Sequence, residues 1–103
     1  MALRTVRFSA GALAEYRSIF RESTRLFGEK QAEQYALKID TALESIAGNP
    51  VIGFSRDTLA LGLRRFRVGS HHIYYVVDSE EIRVIHIYHQ RQSEYLGDWE
   101  TEL

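Results

Sequence analysis

All four histidines of the chain, His71, His72, His86 and His89, fall in one stretch, RRFRVGSHHIYYVVDSEEIRVIHIYHQRQS over 64–93, among strand-forming aromatics and the arginines Arg64, Arg65, Arg67 and Arg91. These residue types offer two chemistries. Imidazoles ligate transition metals, and imidazole beside guanidinium supports acid–base catalysis, because His exchanges protons near neutrality and Arg stabilises an oxyanion. Spacing argues against the first. Successive strand residues point to opposite faces, so His71 and His72 cannot share an ion without a bulge, and His86 and His89 also fall on opposite faces. No metal and no cofactor is expected. The second chemistry, RNA cleavage by 2′-hydroxyl attack, is permitted by residue type without being demanded by spacing. A third use is recognition of a protein, for which amphipathic aromatics and Arg are the usual anchors. Tyr74, Tyr88, Tyr95 and Trp99 qualify, and Trp99, alone in an acidic tail, either docks back onto the domain or awaits a partner.

The elements that must position these residues follow from periodicity. LRTVRF over 3–8 alternates imperfectly and reads as a short strand. Ser9 is placed to cap a helix of about 18 residues, drawn by Leu13, Tyr16, Ile19, Phe20, Leu26 and Phe27 at three- and four-residue spacing. Gly28 supplies a left-handed C-terminal cap. Ala32, Tyr35, Ala36, Ile39, Ala42, Leu43 and Ile46 draw a second helix, which GNP over 48–50 stops with a cap glycine and a proline. Two helices joined by two or three residues lie antiparallel, with Phe20 and Ile39 expected to face the sheet.

After a glycine-containing connection over 51–62, three β-branched and aromatic runs separated by turns at Gly69-Ser70 and DSEE predict a three-stranded antiparallel meander. The last run is apolar on both faces, Ile82, Val84 and Tyr88 on one and Ile85 and Ile87 on the other, as an interior strand would be. The order β-α-α-β-β-β predicts an α+β two-layer sandwich: a helical hairpin on one face of a small antiparallel sheet that the N-terminal strand joins.

At 103 residues the chain reads as one domain over 1–103, since a second core needs roughly another 50–100 residues. Apolar content of 45% and charged content of 26% argue against disorder and against a membrane span. The absence of cysteine removes disulfides, thiolate sites and thiol nucleophiles. With no apolar leader at the N-terminus, the expected location is cytoplasmic. A net charge of −1 argues against stable nucleic-acid binding by bulk electrostatics. Charge is unevenly spread, with arginines in LRRFRV and acids in the tail over about 94–103, Glu94, Asp98, Glu100 and Glu102.

Taken together, LRRFRVGSHHIYYVV, the short acidic turn and IRVIHIYHQRQ, preceded by ALESIAGNPVIGF, resemble the ParE branch of the RelE/ParE toxin superfamily over nearly the whole chain. The resemblance implies the toxin component of a type II toxin–antitoxin system. It implies DNA gyrase as target, trapped on cleaved DNA so that replication stops, with no catalytic residue in the toxin. It implies neutralisation by a ParD-type antitoxin in a heterotetramer or larger complex. The target- or antitoxin-binding residues would be Arg64, Arg65, Arg67, His89, Arg91 and Trp99. The RelE branch implies an alternative, ribosome-dependent mRNA cleavage by Arg65, His89, Arg91 and Tyr95. Against it, His72 stands where RelE-type toxins carry Arg, Leu63 where they carry Lys, and the chain is slightly acidic rather than basic. A third alternative is a non-toxic module that retains only antitoxin binding.

Overall fold

The computed structural model describes residues 4–97 and Trp99; Leu3, Asp98, Glu100 and Glu102 lie outside the described residues. The elements are β1 Thr5–Phe8, α1 Ala10–Phe27, α2 Glu29–Gly48, a 3-10 turn Pro50–Ile52, β2 Phe54–Ser55, β3 Arg64–Val68, β4 His71–Val77, β5 Glu81–His89 and a second 3-10 turn Glu94–Leu96. The α+β two-layer architecture and the β3-β4-β5 meander are those the sequence predicts. The sheet is larger and mixed, in the order β1-β5-β4-β3-β2, because β1 pairs in parallel with β5 while the two-residue β2 adds an antiparallel edge to β3. β5 is the interior strand that its two apolar faces predict.

The junction of β1 and α1 is fixed by Ser9. Its Oγ accepts from the Ala12 N–H at 2.9 Å, as a helix cap does, and donates to the Ile85 carbonyl at 2.7 Å. The Ser9 N–H bonds the Val84 carbonyl at 2.9 Å. β1 ends at Phe8, so the rest of the β5 edge would be left without partners; Ser9 and the Glu15 carboxylate, which accepts from the Ile87 N–H at 2.9 Å, take its place.

Gly28 alone joins the helices, one residue where two or three were expected. Its φ of 90° is positive, but its ψ of 164° is extended rather than left-handed helical. It caps α1 through its N–H to the Thr24 carbonyl and opens α2 by accepting from the Ala32 N–H. Gly48, expected as a cap glycine, remains within α2 and has no positive φ; Asn49 and Pro50 end the helix.

Two cores lie on the two sheet faces. Between helices and sheet, Ala12, Ile39, Ala42, Leu43 and Ile46 pack on Ile73, Tyr75, Ile82, Val84 and Ile87. On the outer face, Leu63, Tyr74, Ile85 and Trp99 form a second cluster flanked by Tyr88. This corrects the expected faces of β5. Tyr74 pairs with His86 but Tyr75 pairs with Val84, so Ile85 is an extra residue and the alternation changes phase there. Ile87 therefore joins Ile82 and Val84 under the helices, and Tyr88 joins Ile85 outside.

The α1 stripe is corrected too. Burial fades from Ala12 through Tyr16 and Ile19 to Phe20, Leu26 and Phe27, which are 36%, 54% and 65% exposed, because the stripe outruns the core beneath it. Phe20 is thus not a core residue, whereas Ile39 is.

Tyr35 of α2 clamps the β3–β4 turn. Gly69, at φ 56°, takes the position a type II′ turn reserves for glycine, and a Cβ there would lie 2.6 Å from the Tyr35 ring. The Tyr35 hydroxyl accepts from the Ser70 N–H at 3.1 Å and donates to the Val68 carbonyl at 3.2 Å. Gly69→Ala is expected to cost about 1–3 kcal/mol through backbone strain and this clash. Ile39→Ala is expected to cost about 2–5 kcal/mol through a cavity, and Phe20→Ala only about 1 kcal/mol or less. Urea unfolding of the three variants checks the order.

Candidate functional site

The outer sheet face gathers the charge. Arg65 of β3 pairs in register with Tyr74 of β4, and the turn after β5 brings Glu94 across both. One Glu94 oxygen accepts from the Tyr74 hydroxyl at 2.6 Å and from Arg65 Nη1 at 2.9 Å; the other is bonded by Arg56 Nη2. The Glu94 side chain is 12% exposed. Burial alone would raise its carboxyl pKa, but the bonds from Tyr74 and Arg65 and the charges of Arg56 and Arg65 outweigh it and hold the group below the usual carboxylate range. Tyr74 is pushed up to about 12, by burial first and then by its bond to Glu94. It is a phenol donor at neutral pH, unable to serve as a base.

Trp99 closes this face. Its Nε1–H donates to the Glu94 carbonyl at 2.8 Å, and its ring lies 4.6 Å from Tyr74, 5.5 Å from Tyr88 and 5.2 Å from His86. At 4% exposure it belongs to the second core. Of the two fates open to it, the structure takes docking against the domain.

The remaining candidates are scattered. Arg64 braces the connection by donating to the Gly53 carbonyl at 2.7 Å. Arg67 is exposed and bonds the Gly69 carbonyl at 3.1 Å. Burial, and then Arg65 and Arg67, lower the pKa of His72 from its ordinary value. His86 sets its Nδ1 3.0 Å from Glu15 and stacks on Tyr88. His89 lies against His71, whose Nδ1 is 2.6 Å from the Tyr35 hydroxyl of α2. Burial, and then His89 and His72, push His71 down to about 4. Arg91 and Tyr95 are exposed, and Arg91 gives its N–H to His89 Nδ1 at 3.1 Å. The set Arg65, His89, Arg91 and Tyr95 is therefore not assembled. Arg65 is engaged on the outer face, while His89 is on the helix side with His71.

Sequence reasoning missed Arg56 and Tyr35 and saw Glu94 only as a tail acid. The partners of Glu94 lie in distant elements, and no local periodicity announces them. Among the described residues no group of three or more His, Cys, Asp or Glu side chains is arranged to hold a metal ion. No helix among them is long and apolar enough to cross a membrane. On the helix side, a groove of about 690 Å³ runs between the hairpin and the sheet end, bordered by Leu26, Phe27, Tyr35, His71 and His89.

This chain has well-defined relatives. Residues 6–94 match the family model for the ParE toxin of the type II toxin–antitoxin system, parDE. A protein named Toxin ParE1 from Mycobacterium tuberculosis is 36% identical over 84 residues, covering 81% of this chain and 86% of its own. Toxin ParE1 from Caulobacter vibrioides is 35% identical over 86 residues, covering 82% and 90%. Among solved structures, the chromosomal ParDE system from P. aeruginosa aligns with a TM-score of 0.72 at 17% identity, over 84% of this chain and 96% of that one. The YoeB dimer from Staphylococcus aureus aligns with a TM-score of 0.60 at 21% identity, over 85% and 99%. At those identities the two structures speak to the fold.

Glu94→Gln is expected to cost roughly 1.5–3 kcal/mol, since two guanidiniums lose their counter-charge. Because the folded carboxyl titrates below its ordinary 4.5, its stabilisation is complete above that value and is lost as pH falls through the folded pKa. Fluorescence of Trp99, the only tryptophan, follows both effects. Wild type should lose stability on acidification below about 4.5 and the Gln variant should lack that component.

Proposed function

This chain belongs to the ParE toxin family of type II toxin–antitoxin systems, and from that premise we propose that it stops growth by inhibiting DNA gyrase in the cytoplasm, with no catalytic residue of its own. A ParD-type antitoxin holds it inactive in a heterotetramer or larger assembly.

The observation that carries the non-enzymatic reading is the bonding of Arg65 to Glu94. An arginine that is to stabilise a developing phosphorane must present its charge to the substrate. Here that charge is met by a carboxylate, and the neighbouring Tyr74 is held as a phenol. The slightly acidic chain also lacks the excess of cations with which a protein grips ribosomal RNA. Arg67 and Arg91, the exposed cations of the original set, are assigned to contacts with target or antitoxin, and Arg64, Arg65 and Trp99 to holding the surface in shape. Exposed Leu26 and Phe27, which border the groove beside the hairpin, support a covering antitoxin segment, because apolar side chains grouped on a surface favour a partner.

The test is plasmid supercoiling by gyrase in the presence of the antitoxin-free protein. Gyrase-dependent accumulation of linear or nicked plasmid is expected; unimpaired supercoiling with a folded sample would refute the assignment. Codon-positioned mRNA cleavage on ribosomes, lost in an Arg65/Arg91 double alanine variant, would replace it. Arg91→Ala is expected to unfold within about 0.5 kcal/mol of wild type while weakening gyrase inhibition or antitoxin affinity in a pull-down titration.

A further inference from the structure

His71 and His89 are distant in sequence and directly opposed in space, one on β4 and one on β5. The backbone bonds around them identify the kind of rung they form. Gln90 N–H donates to the Ser70 carbonyl at 2.8 Å, whereas His89 N–H turns away from β4 to the Gln92 side chain at 2.9 Å. The His71–His89 rung is thus a non-hydrogen-bonded pair, in which Cα atoms approach to about 4.5 Å and side chains come closest. The imidazole centres lie 5.3 Å apart at 84°. Two rings bound to one tetrahedral ion, each at about 2.0–2.1 Å, also stand roughly 5 Å apart.

Metal capture at His71 Nε2 requires the ring proton on Nδ1, and the Tyr35 oxygen, 2.6 Å from Nδ1, can accept it while the hydroxyl proton goes to the Val68 carbonyl and the Ser70 N–H donates to the same oxygen. A hydroxyl acceptor on the second ring nitrogen is how metal-bound histidines are oriented. His89 Nδ1 takes the Arg91 N–H across an exposed two-residue contact. Both rings border the open groove, whose other wall carries Glu22 and Lys38, opposite in charge.

We propose that His71 and His89 form a two-histidine site for a divalent transition metal of the zinc, nickel or copper class, bound through both Nε2 atoms with its remaining positions open to water. These ions favour neutral imidazole. Capture at His89 moves the ring proton from Nε2 to Nδ1 and opens its contact with the Arg91 amide, so no proton is lost overall. His72 and His86 take no part, because they lie on the outer face of the sheet with Tyr74 and Trp99. The site is independent of the toxin reading.

The test is calorimetric titration of the metal-stripped full chain with Zn²⁺, with amide NMR spectra recorded alongside. One ion per chain and a shift of the Arg91 amide are expected. His89→Gln, at the strand end, should abolish binding while leaving thermal unfolding close to wild type; Tyr35→Phe should weaken it about tenfold; His72→Gln and His86→Gln should leave it unchanged. No binding by wild type, or binding that survives His89→Gln, would overturn the proposal.

Discussion

The fold depends on burying β5 on both faces. It is the only strand with β1 on one side and β4 on the other, and its apolar residues outnumber what one layer of helices can cover. The extra residue at Ile85 solves the allocation: Ile82, Val84 and Ile87 go to the helices, Ile85 and Tyr88 to the outer face. A sheet this small cannot leave such a face to water, since each large apolar side chain transferred from water contributes about 1.5–3 kcal/mol. Closure of the outer face by the segment that carries Glu94 and Trp99 is the structural answer.

That closure has an electrostatic side. Leu63, Tyr74, Ile85 and Trp99 build an apolar floor, and Arg56 and Arg65 stand at its margin, where one carboxylate bonds both. The arrangement braces the basic strand, with Arg65 held by Glu94 and Arg64 bonded to the Gly53 carbonyl. What remains chemically available lies elsewhere, in the exposed Arg67 and Arg91 and in the imidazoles on the helix side.

The helices were legible because their signals are local: the apolar stripes, the Ser9 cap, Gly28 between them and Pro50 after them. The two meander turns were legible for the same reason. The parallel place of β1 was not, since it rests on pairing with a strand at the far end of the meander, and neither was two-residue β2. The β5 faces were misassigned by parity counting, which is sound until a bulge inserts a residue with no mark of its own in the sequence. Trp99 was left between two fates that a single carbonyl of Glu94 decides. Parity along one strand also separated His86 from His89 while saying nothing of His71, because cross-strand register is set by tertiary pairing. Function was legible through family resemblance, which the relatives bear out at the level of the toxin family.

The pairing of β1 with β5 also governs the order in which the chain can become structured. Synthesis delivers β1 first and its partner last among the described strands, and the Ser9–Ile85 bond spans 76 residues. Contacts of such long range must wait for the entropy of loop closure. A nascent chain on the ribosome can form its helical hairpin early, but the sheet cannot be assembled around β5 until that strand has emerged. A chain interrupted before residues 81–89 thus lacks the strand that joins β1 to the meander, and the sheet closes only once that segment has been made.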